Sequence, residues 1–197
     1  MKIKKFNEKY EKKVKKIDKK NRKFFDLSWV LKVSFFAFLI SLSFSIITEV
    51  ALPNINVFMG VLVLFSIIVI GVLFDMVGVS VTAASLEPFN SMASKKVKGS
   101  KTSIWLIKNA DKVSAFCNDV IGDVCGIISG SVGILISSAL AVELKTNISI
   151  TTLILTAAIA SLTIGGKAIG KSYAINKSDV IVFRFDKIIK IFRKEEK

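Results

Sequence analysis

The stretch VFMGVLVLFSIIVIGVLFDMVGVSVTAAS at residues 57–85 decides the fold. It carries no charge from Val57 to Phe74, and about 20 apolar residues in helical rise cross a hydrocarbon core about 30 Å thick. With its flanks the run is long enough to span. One carboxylate, Asp75, interrupts it. An ionised side chain at that depth costs about 2.5–3.5 kcal/mol on insertion scales, so it is retained where it is paired, hydrated or bound to a cation.

Three more apolar runs lie on either side. The first is expected from about Trp29 to Leu52, ending at Pro53 and Asn54, with Ser41, Ser43, Ser45 and Glu49 making it less apolar than the others. Another is expected from about Val113 to Val142, and the last from about Ile148 to Ile169 after the nearly neutral turn holding Glu143, Lys145 and Asn147. More than half of the residues are hydrophobic, yet the formal charge is +14, and the two properties are segregated along the chain. The fold class is therefore all-α: a polytopic membrane protein with about four transmembrane helices plus amphipathic interfacial helices. We divide it into a basic amphipathic segment (1–27), an N-terminal transmembrane helix (28–52), a three-helix core (53–172) with a basic connection (86–112), and an amphipathic tail (173–197).

Charge sets the expected orientation. Residues 1–27 hold twelve Lys or Arg against four acids, with Ile3, Phe6, Tyr10, Val14, Ile17 and Phe24 at helical spacing, which reads as a helix on an anionic leaflet or as a solvated tail. Its charged region and the following apolar run are both too long for a signal peptide. The 86–112 connection has six lysines against Glu87 and Asp111, and its Ile104, Trp105 and Leu106 suggest a short helix on the bilayer surface. In the tail, Ile181, Phe185, Ile188 and Phe192 form one stripe among basic residues. With both termini cytoplasmic in a cell membrane, all three basic segments lie inside, as the positive-inside rule requires. Anionic lipid headgroups are the expected partner of these lysines, and they account for them with fewer assumptions than nucleic acid.

Helical faces supply the candidate site. At 100° per residue Gly71, Asp75, Gly78, Thr82 and Ser85 share one sector of the second span. The third span repeats the pattern with Asp119, Gly122, Asp123, Gly126, Gly130 and Gly133, and the fourth offers Thr152, Thr156, Thr163, Gly166, Lys167 and Gly170. Such stripes are packing surfaces, a polar cleft, or both. Asp119 and Asp123 at (i, i+4) place like charges about 6 Å apart, which calls for a cation, a proton or Lys167. Solvation at the membrane boundary beside Lys108 and Lys112 is the alternative, although Asp119 lies about 10 Å beyond Lys112 in helical rise. Carboxylates, hydroxyls and the Asn118 amide suit a hard cation, Mg²⁺ or a related divalent ion, and would equally serve Na⁺ or H⁺ coupling.

There is no histidine, and Cys117 and Cys125 would be about 12 Å apart on one helix, so neither a disulfide between them nor a usual zinc or copper site is expected. No nucleophile elbow or phosphate-cradling loop occurs, which speaks against an enzyme; Asp75 and Asp119 on different spans lack the motif contexts of an aspartyl intramembrane protease.

Gly78 followed by Ser85-Leu86-Glu87-Pro88 and a basic connection resembles the first core helix of the CorB/CorC and CNNM (cyclin M) magnesium transporters, which end it in a Ser-Leu-Asp-Pro-like motif. Asn118-Asp119-Val120-Ile121-Gly122-Asp123 is similar to that family's Gly-Asn-x-x-x-Asn segment, with aspartate at both asparagine positions, and Gly165 with residues 171–174 is faintly similar to its third helix. The likeness covers about residues 60–180. It implies a three-span homodimeric core that binds Mg²⁺ or a related cation partway across, with Ser85, Asp119 and Asp123 as ligands; Asp75 and Asn118 join them on the facial argument. The Glu and Pro of the third-helix Gly-Glu-x-x-Pro-Lys pattern are absent, Gly166 standing at the Glu position. No nucleotide-sensing CBS pair follows, so a regulator of that kind is expected as a separate protein. The expected function is divalent-cation transport; the alternatives are a non-transporting accessory or sensor protein of the same fold and an unrelated four-span structural or small-solute carrier protein.

Overall fold

A computed structural model describes residues 27–51 and 56–192, with side chains over 27–50 and 56–186. The helices are α1 (Leu27–Ala51), α2 (Val57–Ala83), α3 (Leu86–Ser94), α4 (Ser100–Lys108), α5 (Ala110–Ala115), α6 (Asp123–Glu143), α7 (Ile148–Asn176) and α8 (Ser178–Phe192). A π-helical segment, Phe116–Gly122, joins α5 to α6 without a break. Four stretches are long and apolar enough to cross a membrane: Leu27–Val50, Val57–Ala83, Ala110–Glu143 and Ile148–Asn176. The chain is an all-α polytopic membrane protein. The amphipathic reading of residues 1–26 and the side chains of Ile188 and Phe192 lie outside the described residues.

By internal contacts the chain divides within α1 into residues 1–36 and 37–197. The described part of the first unit is the opening of α1. All that follows concerns the second.

Local chemistry sets the helix ends. Asn56 and Asn147 precede α2 and α7, and each accepts through its side-chain oxygen from a backbone N–H two residues on, at 3.4 Å from Phe58 and 2.9 Å from Ser149. After Glu143 the chain turns through Lys145 at φ 52°, with Thr146 N–H donating to the Ala141 carbonyl (3.0 Å) and Lys145 N–H to Val142 (3.3 Å), a Schellman closure. The same closure ends α3 at Lys96 (φ 54°), with Val97 N–H on the Met92 carbonyl.

Helices α2, α6 and α7 pack as a triangle. Small residues set how closely. Gly71 of α2 faces Cys125, where an added Cβ would stand 3.0 Å from the cysteine Cβ, and Gly78 lies directly beneath the Asn118 amide, so α2 and the π–α6 rod run antiparallel in tight register. Against α7 the register is parallel: Val72 covers Gly166, Met76 covers Gly170, and Ser80 Oγ reaches the Ala174 carbonyl at 3.5 Å. Gly133 of α6 receives the tip of Ile159 of α7, and Ser137 Oγ meets Thr152 Oγ1 at 2.8 Å.

Two apolar clusters result. In the membrane, Leu64 and Ile68 meet Val124, Ile128, Val132, Ile136 and Ile159, with Ile40 of α1 partly buried against them. At the basic end, Val81, Phe89, Leu106 and Val182 form a second cluster from α2, α3, α4 and α8. Outside the hydrocarbon this cluster draws on water exclusion, about 1.5–3 kcal/mol per buried side chain, whereas lipid-embedded contacts gain mainly from dispersion. The connection thus forms two helices, and Leu106 turns into protein while Trp105 stays exposed.

Helix α8 packs on α2 and α4 through Val182 and Asp186, both fully buried, and the expected stripe residues Ile181 and Phe185 flank that face. The Asp186 carboxylate lies against Gly99, which precedes α4 at φ 106°, a conformation open to glycine. Asp179 of α8 accepts from Ser85 N–H at 3.2 Å and ties down the α2–α3 corner.

Candidate functional site

A polar layer lies between the two apolar clusters. Asp75 is at its centre, with its side chain 5% exposed, and Lys171 Nζ lies 3.7 Å from Asp75 Oδ2. Lys167 Nζ stands 3.7 Å from Asp123 Oδ1. Lys167 Nζ and Asp75 Oδ1 also approach the same point, at 3.6 and 3.9 Å from where a Cβ on Gly122 would be. A Cβ at 122 would meet both groups at ordinary van der Waals distance, so Gly122 borders the layer without being required by it. In the parallel α2/α7 register Asp75 falls between Lys167 and Lys171, which are one turn apart on α7.

Lys167 lies within the expected fourth span, Ile148 to Ile169, and Lys171 beyond it. The structure adds Lys171, because α7 continues to Asn176 rather than ending near Ile169, and Lys171 therefore projects from within a helix. Asp75 has a cationic neighbour after all.

The five candidate ligands do not converge. Asp75 and Asn118 come onto one interface: Asn118 overlies Gly78, one turn along α2 from Asp75, and its Nδ2 donates to Ser114 Oγ at 3.2 Å. Asp119 and Asp123 face outward from the rod, the Asp123 side chain being 68% exposed, and Ser85 is exposed at the α2–α3 corner. The side of the rod turned to the other helices is the apolar one, with Cys117, Val120, Val124, Ile128 and Val132 buried along it. Asn118 and Gly122 border that side, and Asp119 and Asp123 do not. The expected stripes are likewise cut short: Thr82 is exposed, and among the described residues no neighbouring helix comes within 4 Å of a Cβ placed on Gly126 or Gly130.

Hydroxyls mostly serve their own helices. Thr156 donates to the Thr152 carbonyl at 2.7 Å, Thr163 to Ile159 at 2.8 Å, and Ser80 to Met76 at 2.7 Å, so none of them is aimed at Asp75. Two acceptors remain. Asp75 Oδ2 and Asn118 Oδ1 are buried and receive no hydrogen bond from the described residues. An open apolar groove of about 590 Å³ between α2 and α7 is lined by Val72, Leu73, Gly165 and Gly166 among others; its Ser161 hydroxyl is a poor offer to an ion.

Among the described residues no three Asp, Glu or Cys side chains are grouped to hold a metal. The arrangement within one chain is instead one buried carboxylate and one amide oxygen with open lone pairs, with Lys171 at ion-pair distance from the carboxylate and Lys167 at ion-pair distance from Asp123. Compared with known protein families, curated proteins and solved structures, the chain matches none.

Proposed function

We propose that this chain is a cation-handling membrane protein, a transporter or transport-related subunit in which a Mg²⁺-like divalent cation enters the polar layer and is met by Asp75 and Asn118. The carrying observation is the pair of buried acceptors, Asp75 Oδ2 and Asn118 Oδ1, that no donor of the described residues satisfies. Leaving a buried acceptor unmade costs about 1–3 kcal/mol, and more for a charged group, which a bound ion or its hydration water would recover. The 3.7 Å separations leave Lys167 and Lys171 as counter-ions outside hydrogen-bond reach of the carboxylates.

The likeness to the CorB/CorC and CNNM transporters supports the choice of a divalent ion and a homodimer, in which a second copy would cover Asp119, Asp123 and the open faces of Gly126 and Gly130. Charge distribution supports a cell-membrane orientation with the basic end cytoplasmic, where anionic headgroups and a separate CBS-pair protein would meet it. One observation favours the accessory or sensor reading: each lysine answers one aspartate, so the layer is held together without any ion.

Thermal unfolding of the purified protein with and without Mg²⁺ tests the site. Stabilisation that Asp75→Asn and Asn118→Ala both weaken is the expected result, and no stabilisation at millimolar Mg²⁺ defeats the proposal. Ion flux into proteoliposomes then separates a transporter from a sensor.

A further inference from the structure

Lys171 and Asp75 differ sharply in what surrounds them. The carboxylate side chain is 5% exposed and the ammonium side chain 51% exposed, so the acid is fixed in the bundle while the lysine has a second place to go. Lys171 is five residues from the end of α7 at Asn176, about 7.5 Å of helical rise, and a four-carbon stem covers most of that distance toward water. Its Nζ lies 3.7 Å from the Asp75 oxygen that receives no hydrogen bond. Lys167, by contrast, is 23% exposed and engaged with Asp123.

We propose, building on the cation-handling reading above, that Lys171 is a tethered competitor of the transported or sensed cation: its ammonium neutralises Asp75 while the site is empty and swings toward the basic end when a cation takes its place beside Asp75 Oδ2. The charged groups of the layer are Asp75, Asp123, Lys167 and Lys171, with Asp119 outward on the π segment. With the first four in place the charge balances. Withdrawal of the Lys171 ammonium exposes one negative charge, that of Asp75, to the incoming ion. The competitor sets affinity: the ion must be bound well enough to displace a covalently held rival, which keeps the site from trapping it.

The experiment is ion binding by calorimetry and thermal shift, with Mg²⁺ and Na⁺ in parallel arms, on wild type, Lys171→Gln, Lys171→Arg, Asp75→Asn and the Asp75→Asn/Lys171→Gln double variant. Lys171→Gln should bind the ion at least tenfold more tightly than wild type. Lys171→Arg should stay close to wild type, and both variants lacking the carboxylate should lose binding. A second readout needs no variant: amine acylation of Lys171 in the wild-type protein, followed by mass spectrometry, should speed up on addition of the ion while Lys177 is unchanged. Binding that Asp75→Asn abolishes but Lys171→Gln leaves equal or weaker overturns the competition and spares the site. No binding by wild type or by Lys171→Gln overturns both.

Discussion

Truncating the two ends of the Asp75–Lys171 pair should destabilise the protein by unequal amounts. Lys171→Met removes the ammonium 3.7 Å from Oδ2 and strands a carboxylate whose side chain is 5% exposed. At that separation the attraction is about 4 kcal/mol at an effective dielectric of 20. Stranding one buried charge costs about 3–5 kcal/mol in proteins, and about 2.5–3.5 kcal/mol for an ionised residue in mid-span. We therefore expect Lys171→Met to lose about 3 kcal/mol in ion-free buffer. Asp75→Asn keeps the shape of the side chain and leaves behind a lysine that is half exposed and turns to water, so its cost should be about 1 kcal/mol or less. The double variant strands nothing and should resemble Asp75→Asn, giving a coupling energy of about 3 kcal/mol in the thermodynamic cycle. Reversible unfolding in bicelles, followed by circular dichroism, measures all four proteins. Equal losses for the two single variants, or the larger loss for Asp75→Asn, would refute the picture of a fixed acid and a mobile base.

Three further outcomes follow from the packing. Gly71→Ala places a Cβ 3.0 Å from Cys125 Cβ and should cost about 1–3 kcal/mol, recovered in part by Cys125→Gly, whereas Gly126→Ala and Gly130→Ala meet no neighbouring helix of the described residues within 4 Å and should change the unfolding by less than about 0.5 kcal/mol. Lys145→Gly relieves a left-handed residue at φ 52° in a Schellman closure and should raise stability by about 1 kcal/mol in the same assay. Gly99→Ala meets both a φ of 106° and the Asp186 carboxylate, and should lose about 1–3 kcal/mol and loosen α8, read as faster amide exchange over residues 178–186.

The spans were legible because hydrocarbon selects long charge-free runs, and residues 57–74 admit no other assignment. Asp75, Gly71 and Gly78 were also legible as one face, since α2 is a regular helix throughout. The α6 side was not. The small and polar residues there read as the packing stripe, whereas the bundle closes on the apolar side carrying Cys117, Val120, Val124, Ile128 and Val132, and Asp119 and Asp123 come out exposed. Lys171 was missed for a different reason: the fourth apolar run fades after Ile169, but hydrogen bonding continues to Asn176 because α8 and the end of α2 give that extension a protein surface to lie on. Buried Asp186 had no signal either, being one acid in a basic amphipathic tail whose buried position follows from how α8 meets Gly99.

The placement of the polar layer has its own logic. Asp75 lies eight residues before the end of α2, about 12 Å from the basic boundary, with Val72 on the fringe of the membrane cluster and Val77 on the fringe of the basic-end cluster. On the membrane side the helices are held by close contact at Gly71, Gly133 and Gly166, which tolerates little movement. On the basic side they are held by water exclusion around Phe89, Leu106 and Val182 as well as by close contact at Gly78 and Gly170. Lys167 is 23% exposed and paired with an exposed acid, whereas Lys171 is 51% exposed, nearer the basic end and paired with a buried one, so the two otherwise similar ion pairs need not respond alike: on the proposed cation-handling reading, an ion arriving from the basic end meets the more exposed lysine first.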